Sequence, residues 1–283
     1  MSQPPQIVTT IAELRHRIAA FREDESLIGL VPTMGALHAG HLSLVREAEK
    51  HVDTVIVSIF VNPAQFAPHE DYDRYPRTLE ADAEKLGAAG ETDLIFAPSP
   101  GEMYPEGFAS RIEMGGPALG LESEVRPHFF SGVATVVAKL LIAAMPDVAM
   151  FGEKDYQQLL VVRRLAADLG LGTRILGAPI VRERDGLAMS SRNAYLKPEE
   201  RKIAGRLNAV LQQLAGALRG GEAVAAVEAK GKRALLDAGF AAVDYVAVRD
   251  AETLAPLAKP GGAARILAAA TVGATRLIDN MAV

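Results

Sequence analysis

The run Thr54-Val55-Ile56-Val57-Ser58-Ile59-Phe60-Val61 is strand-forming throughout, shows no polar–apolar alternation, and stops at Asn62-Pro63. Such a strand needs cover on both faces, which puts it inside a parallel sheet between two layers of helix. Shorter runs of the same kind are Leu27-Ile28-Gly29-Leu30-Val31, halted by Pro32, then Asp93-Leu94-Ile95-Phe96, 148–151 and Ile175-Leu176. Between them, apolar residues at helical spacing predict helices over 11–23, 42–51, 77–89, 131–144 and 156–169. The alternation predicts an α/β fold, a Rossmann-like parallel sheet with helices on both faces. Ligands of such sheets lie beyond the carboxyl ends of the strands, where helix N-termini also point.

After about residue 188 the texture changes. Helical patterns over 198–218 and 222–238, joined at Gly220-Gly221, precede three short strand patterns at 243–248, 264–270 and 275–278. This reads as a Rossmann-like domain at 1–187 followed by a smaller α+β domain at 188–283, whose polar residues look like solvated surface.

Composition removes several classes of function. With 283 residues and 49% hydrophobic content the chain can bury a sizeable core. Net charge is −5 and no basic block stands out, which argues against a nucleic-acid or anionic-membrane partner. The absence of cysteine excludes disulfides, cysteine zinc sites and thiolate catalysis. Met1-Ser2-Gln3-Pro4-Pro5 lacks the basic and apolar segments of a secretory signal. The apolar stretch 133–145 contains Lys139 and is too short to span a bilayer. A cytoplasmic protein is the expectation.

Segments at the strand ends carry groups suited to a phosphorylated ligand. Pro32-Thr33-Met34-Gly35-Ala36-Leu37-His38-Ala39-Gly40-His41 joins the first strand to a helix, and Gly35 and Gly40 allow close backbone approach. His38 and His41, three apart at a helix start, can face one pocket and donate to phosphate oxygens beside free backbone N–H groups. Zinc is a weaker reading of this pair, because no third ligand is obvious nearby. Phe60-Val61-Asn62-Pro63-Ala64-Gln65-Phe66 leaves the strongest strand, and Gln65 offers a donor and an acceptor without charge. Asp71, Asp73 and Asp82 either approach a magnesium ion or are simply solvated; the metal ligands stay unassigned, with Asp82 the one candidate retained.

Arg126 and His128 precede an apolar helix, with Ser131 as its candidate cap, and read equally as structure or as an anion or substrate lid. Phe151-Gly152-Glu153-Lys154-Asp155-Tyr156-Gln157-Gln158 opens another helix. Lys154 supplies a mobile point charge for phosphate, and Asp155 either accepts ribose hydroxyls or caps the helix. In the run from Val181 to Asn193, a turn at Asp185-Gly186 leads to Ser190, Ser191 and Arg192, which can clamp triphosphate oxygens.

His38-Ala39-Gly40-His41 resembles the His-x-Gly-His signature of nucleotidylyl transferases and class I aminoacyl-tRNA synthetases. The later run resembles their Lys-Met-Ser-Lys-Ser loop with departures: Ala188 stands for the first lysine and Ser191-Arg192 for the later Lys-Ser. Met189-Ser190-Ser191-Arg192-Asn193, taken with the segments at 32–41, 60–66 and 151–158, makes essentially the whole chain similar to the pantothenate synthetase (pantoate–β-alanine ligase) family. The resemblance implies an enzyme that joins (R)-pantoate to β-alanine using ATP and Mg²⁺, releasing AMP and diphosphate.

It further implies that Met34, Gly35, Ala36, Leu37, His38, Ala39, Gly40 and His41 form the first ATP segment, with His41 as its proton donor. Gly152, Glu153, Lys154 and Asp155 form a second, and Val181, Met189, Ser190, Ser191 and Arg192 complete the nucleotide site. Gln65 meets pantoate and the incoming β-alanine, and Gln158 holds pantoate. His38, His41, Lys154 and Arg192 are then the catalytic set, stabilising charge on the phosphates. Members of the family are commonly cytoplasmic homodimers. The rivals are a nucleotidylyltransferase that stops after nucleotide transfer and a nucleotide-binding or RNA-binding module of the same fold, which the lack of a basic face disfavours.

Overall fold

Among the described residues, six parallel strands occupy the first part of the chain: β1 (Gln6–Val8), β2 (Ile28–Thr33), β3 (Thr54–Ile59), β4 (Leu94–Phe96), β5 (Val148–Gly152) and β6 (Arg174–Ala178). The computed structural model describes residues 5–68, 70–259 and 262–283. The spatial order is β1-β4-β3-β2-β5-β6, and every pairing in this sheet is parallel.

The apolar character of both strand faces has a direct structural cause. Ile56 of β3 packs into a core shared with the helices Ile11–Glu23, Phe129–Ala144 and Tyr156–Asp168. Its neighbours Val55 and Val57 point the other way, into a core formed with the helices Ala39–Glu49 and Leu79–Ala89. Side chains alternate across a strand, so a sheet buried twice needs apolar residues at every position.

Later in the chain β7 (Ala242–Asp250), β8 (Ala264–Val272) and β9 (Thr275–Ala282) form an antiparallel sheet in the order β7-β8-β9. The helices Arg206–Arg219 and Val224–Asp237 cover it through Leu207, Leu211, Leu214, Val227 and Leu235. The α/β class with a smaller α+β unit is therefore as the pattern implied.

Local departures have physical reasons. β1 escapes periodicity because three residues carry no period, and it exists by pairing with β4. The expected helix over 198–218 is two helices, Pro198–Ala204 and Arg206–Arg219, interrupted at Gly205. The Asp185 carboxylate, ion-paired with Arg201, occupies the space that a side chain at Gly205 would need. Among the described residues no helix is long and apolar enough to cross a membrane.

Strand order also sets where a ligand can sit. From β2 the chain proceeds outward to β3 on one side, while β5 leads to β6 on the other. β2 and β5 are themselves neighbours, with Gly29 opposite Val148 and Leu30 opposite Ala149. Their carboxyl ends therefore open side by side at the topological switch point of the sheet.

One close approach shapes this region. The helix Phe129–Ala144 touches the turn Pro63–Gln65 at Gly132, where an added Cβ would stand 2.8 Å from the Gln65 Cα and closer still to the Ala64 carbonyl. Gly132→Ala is expected to destabilise the fold by about 1–3 kcal/mol through overpacking. The urea midpoint and the melting temperature measure that loss; an unchanged midpoint would show that the helix and turn can separate freely.

Candidate active site

The loop after β2 turns through two left-handed residues, Gly35 (φ 82°) and Ala36 (φ 50°). A fully buried carboxylate holds this turn: Asp82 accepts the Ala36 and Leu37 amides at 2.8 Å each, and the Thr78 hydroxyl at 3.0 Å. Lys85 lies 3.5 Å from it. Asp82, retained above as a metal candidate, thus has both oxygens committed to the loop that precedes the histidines.

His38 is the N-cap of the helix Ala39–Glu49, with its Nδ1 accepting the Gly40 amide at 3.2 Å. The Nδ1 of His41 accepts the His38 amide at 3.4 Å, and the two rings lie 4.1 Å apart. A neutral imidazole that accepts at Nδ1 carries its proton on Nε2. Each ring therefore offers an Nε2–H donor. Burial, followed by the charges of Lys154 and Lys85, pushes the His38 pKa down to about 4. For His41, burial, then the His38 ring and the same two lysines, push it down to about 3. Both rings are neutral near pH 7.

Gln65 follows β3 and is held between two partners. Its Nε2 lies 3.0 Å from the Met34 sulfur, and its Oε1 accepts from Asn62 at 3.1 Å. Tyr104 donates to the Asn62 Oδ1 at 2.6 Å, so a residue from a segment without periodicity supports the Gln65 position. Nothing in the local pattern around Tyr104 signals that role. Ser131 is not the expected cap: it lies inside the first turn of its helix, accepting from Arg111 and donating to the Ile112 carbonyl at 2.8 and 2.9 Å. The residue before that helix, His128, makes no capping bond.

Beyond β5, Glu153–Asp155 forms a single tight turn leading into the helix Tyr156–Asp168. Asp155 occupies the N-cap without bonding the backbone, which leaves its carboxylate free of the capping role. The turn is gripped from the second sheet. Asn280 of β9 donates to the Glu153 and Lys154 carbonyls at 2.8 and 2.9 Å. Arg265 of β8 pairs with Glu153 at 2.9 Å and lies over the Tyr156 ring at 3.6 Å. The expectation that polar residues of the smaller unit are mere solvated surface is therefore corrected. Asp279 and Asn280 are both 2% exposed, and a buried carboxylate persists only with a partner. Asp279 has one in Arg182, bonded through both oxygens at 2.7 and 2.9 Å.

That Arg182 bond anchors the start of the 181–193 loop, whose Met189 amide donates to the Val181 carbonyl at 3.0 Å. The Ser190 hydroxyl accepts the Arg192 amide at 3.3 Å, and Ser191 donates to the Ala36 carbonyl at 3.2 Å, joining this loop to the first. The Arg192 guanidinium holds Asp71 through Nε and Nη2, each at 3.0 Å. Burial alone would raise the Asp71 carboxyl; the arginine outweighs it and holds it below the ordinary range. Arg126 likewise grips Glu70 at 2.6 and 2.8 Å, with its guanidinium 3.9 Å from the Phe129 ring centre.

All of these segments border one cavity of about 1020 Å³. Met34, His38, Gly40, His41 and Gln65 line it from the β2 and β3 ends. Gly152, Lys154, Asp155 and Gln158 line it from the β5 end, and Val181, Met189, Ser190, Ser191 and Arg192 from the later loop. Gly35, Ala36, Leu37, Ala39 and Glu153 lie off its wall; Glu153 instead turns to Arg265. Residues that sequence reading missed, Thr275 to Asn280 among them, complete the wall from β9. Among the described residues no group of three or more His, Asp or Glu side chains is arranged to hold a metal.

The depressed imidazoles carry a pH signature. Their unfolded counterparts take up protons near pH 6.5, whereas the folded rings do so only near 4 and 3. The unfolded state then binds more protons throughout that window, so stability falls as pH drops from 6.5 toward 4. Chemical denaturation at a series of pH values should show this slope, and a His38→Gln, His41→Gln double variant should flatten it.

Comparison with known proteins places the chain in a family. The family model for pantoate-beta-alanine ligase matches residues 6–282. A pantothenate synthetase of Rhodopseudomonas palustris is 55% identical over 285 aligned positions, covering 100% of both chains. The crystal structure of pantothenate synthetase from Thermus thermophilus superposes with a TM-score of 0.90 at 49% identity, covering 98% of each chain. The pantoate-beta-alanine ligase of Francisella tularensis, solved in complex with beta-gamma ATP and beta-alanine, gives a TM-score of 0.83 at 35% identity over 98% of this chain and 97% of that one. The chain belongs to the pantoate–β-alanine ligase family.

Proposed function

We infer that this chain condenses (R)-pantoate with β-alanine at the expense of ATP, giving (R)-pantothenate, AMP and diphosphate through a pantoyl adenylate. One observation carries the reading: histidines and cations from three separated segments line a single cavity at the switch point of the sheet, in a chain whose close relatives are named for this reaction.

A free carboxylate does not form an amide efficiently, because oxide is a very poor leaving group. The pantoate carboxylate therefore attacks the α-phosphorus of ATP and expels diphosphate. The β-alanine amine then attacks the acyl carbon and expels AMP. His38 and His41 stabilise the phosphate charge as neutral Nε2–H donors, the state that their depressed pKa values and Nδ1 bonds support. On this reading His41 does not transfer a proton. Lys154 and Arg192 supply positive charge, and Gln65 and Gln158 orient pantoate and the amine.

The donor set suits a magnesium ion carried on the triphosphate, since Asp82 is turned to backbone amides and Mg²⁺ commonly takes phosphate and water ligands. When bound, the ion would neutralise charge on the phosphates. The division into a nucleotide- and pantoate-binding domain at 1–187 and a smaller domain at 188–283 belongs to this proposal. The change of sheet after β6 and the placement of the Met189–Arg192 loop between the two sheets support it. A cytoplasmic homodimer, without membrane or nucleic-acid partners, completes the proposal and rests on family resemblance.

Mass detection of products with one component omitted at a time tests the reading. Pantothenate, AMP and diphosphate should appear only with ATP, pantoate and β-alanine together, and ATP–pyrophosphate exchange should require pantoate but not the amine. Exchange without pantoate, or a nucleotide-bearing end product, would favour a nucleotidylyltransferase. Lys154→Gln should slow the exchange by roughly 10²–10³-fold, the scale of losing one group that stabilises charge in the transition state.

A further inference from the structure

We propose that Asp71 is a positioning residue for Arg192, presetting the guanidinium for the triphosphate during adenylate formation. The inference rests on the functional reading above.

The geometry distinguishes two of the cations that line the cavity, Lys154 and Arg192. Lys154 has its nearest carboxylate, Asp155, at 3.8 Å, and its ammonium is a point charge on a flexible stem. Arg192 is planar, and Asp71 takes one whole edge of that plane, Nε and Nη2, at 3.0 Å each. The end edge, made by Nη1 and the outer hydrogen of Nη2, remains; among the described residues Nη1 has no protein partner. A guanidinium held along one edge by a carboxylate can still bind a phosphate bidentately along the other. Arg192 itself sits on a single short turn, Ser191–Tyr195, which does little to order so long a side chain.

Asp71 is suited to supply that order because its own segment is fixed. Its neighbour Glu70 accepts both Arg126 bonds, and Arg126 also donates to the Gln65 carbonyl at 3.1 Å. The Arg74 amide donates to the Asp71 carbonyl at 3.1 Å, and Tyr195 donates to the Arg74 carbonyl at 3.4 Å, beside the ion pair. The pair thus ties the segment after β3 to the loop carrying Arg192, and both partners line the cavity. Asp71 also offsets part of the positive charge that a triphosphate would meet. Fixed orientation and reduced charge act in opposite directions, so experiment can tell them apart.

The test compares the two half-reactions in the full-length chain carrying Asp71→Asn, Asp71→Ala or Asp71→Glu. The first is pantoate-dependent ATP–pyrophosphate exchange; the second is amide formation from supplied pantoyl adenylate and β-alanine. Loss of positioning should lower kcat/KM for ATP in the exchange by about tenfold or more, with a smaller loss in amide formation. Asp71→Glu, which restores a carboxylate, should recover part of the exchange, and Asp71→Ala should add little in an Arg192→Ala background.

Unchanged exchange would overturn the proposal. So would tighter ATP use in Asp71→Asn, which would make Asp71 a competitor of the phosphates. Equal losses in both half-reactions with no recovery by Asp71→Glu would also overturn it, leaving a purely structural role. Absence of exchange in the unsubstituted chain would instead overturn the functional reading, and the inference with it.

Discussion

Parallel pairing of β2 with β5 is the constraint on which the site depends. Neither strand carries the candidate groups; each ends where they begin. Because they run in the same direction and lie adjacent, the loop with His38 and His41 and the turn with Lys154 emerge at one edge of the sheet. Residues more than a hundred positions apart thus share a cavity without a long excursion of either loop. Burial of both sheet faces makes this adjacency rigid, since β2 and β5 contribute to the cores on both sides.

Buried carboxylates convert that rough adjacency into a defined site. Asp82 shapes the first loop by accepting two consecutive amides, and Asp279 anchors the last by holding Arg182. Glu122, in the short helix Glu122–Val125, ties that helix to the second sheet: it takes both terminal nitrogens of Arg276 at 2.9 and 2.7 Å and the Tyr245 hydroxyl at 2.6 Å. Burial would raise the Glu122 carboxyl, but Arg276 outweighs it and keeps the group ionised. Removing one partner from such a pair leaves a charge without compensation, so these contacts hold the two units in a particular relation.

Much of the site was legible because its residues are local to strand ends. The segments at 32–41, 151–158 and 181–193 could each be read as loop chemistry from their glycines, histidines and cations. The contribution of β9 was not legible in the same way. Asp279 and Asn280 sit in a short strand of the second sheet, and their partners Arg182, Glu153 and Lys154 are distant in the chain. Asp82 was visible as an acid but not as a loop anchor, because its bonds cross from the helix Leu79–Ala89 to residues 36 and 37. Tyr104 and Gln157 were obscure for the same reason. Gln157 donates to the Pro117 and Gly120 carbonyls across 40 and 37 residues, at 3.0 and 3.2 Å.

The sequence by itself determined the strand–helix alternation, the doubly buried sheet and the residue types gathered at the strand ends, since periodicity and loop chemistry are local properties. Tertiary structure decided which of those residues share a cavity, which carboxylates are spent on backbone amides, and that both imidazoles are neutral. The physical reason is that burial, hydrogen-bond direction and the nearness of another charge depend on strand order and on contacts across the chain. A string of residues carries the groups; only the folded arrangement gives them partners.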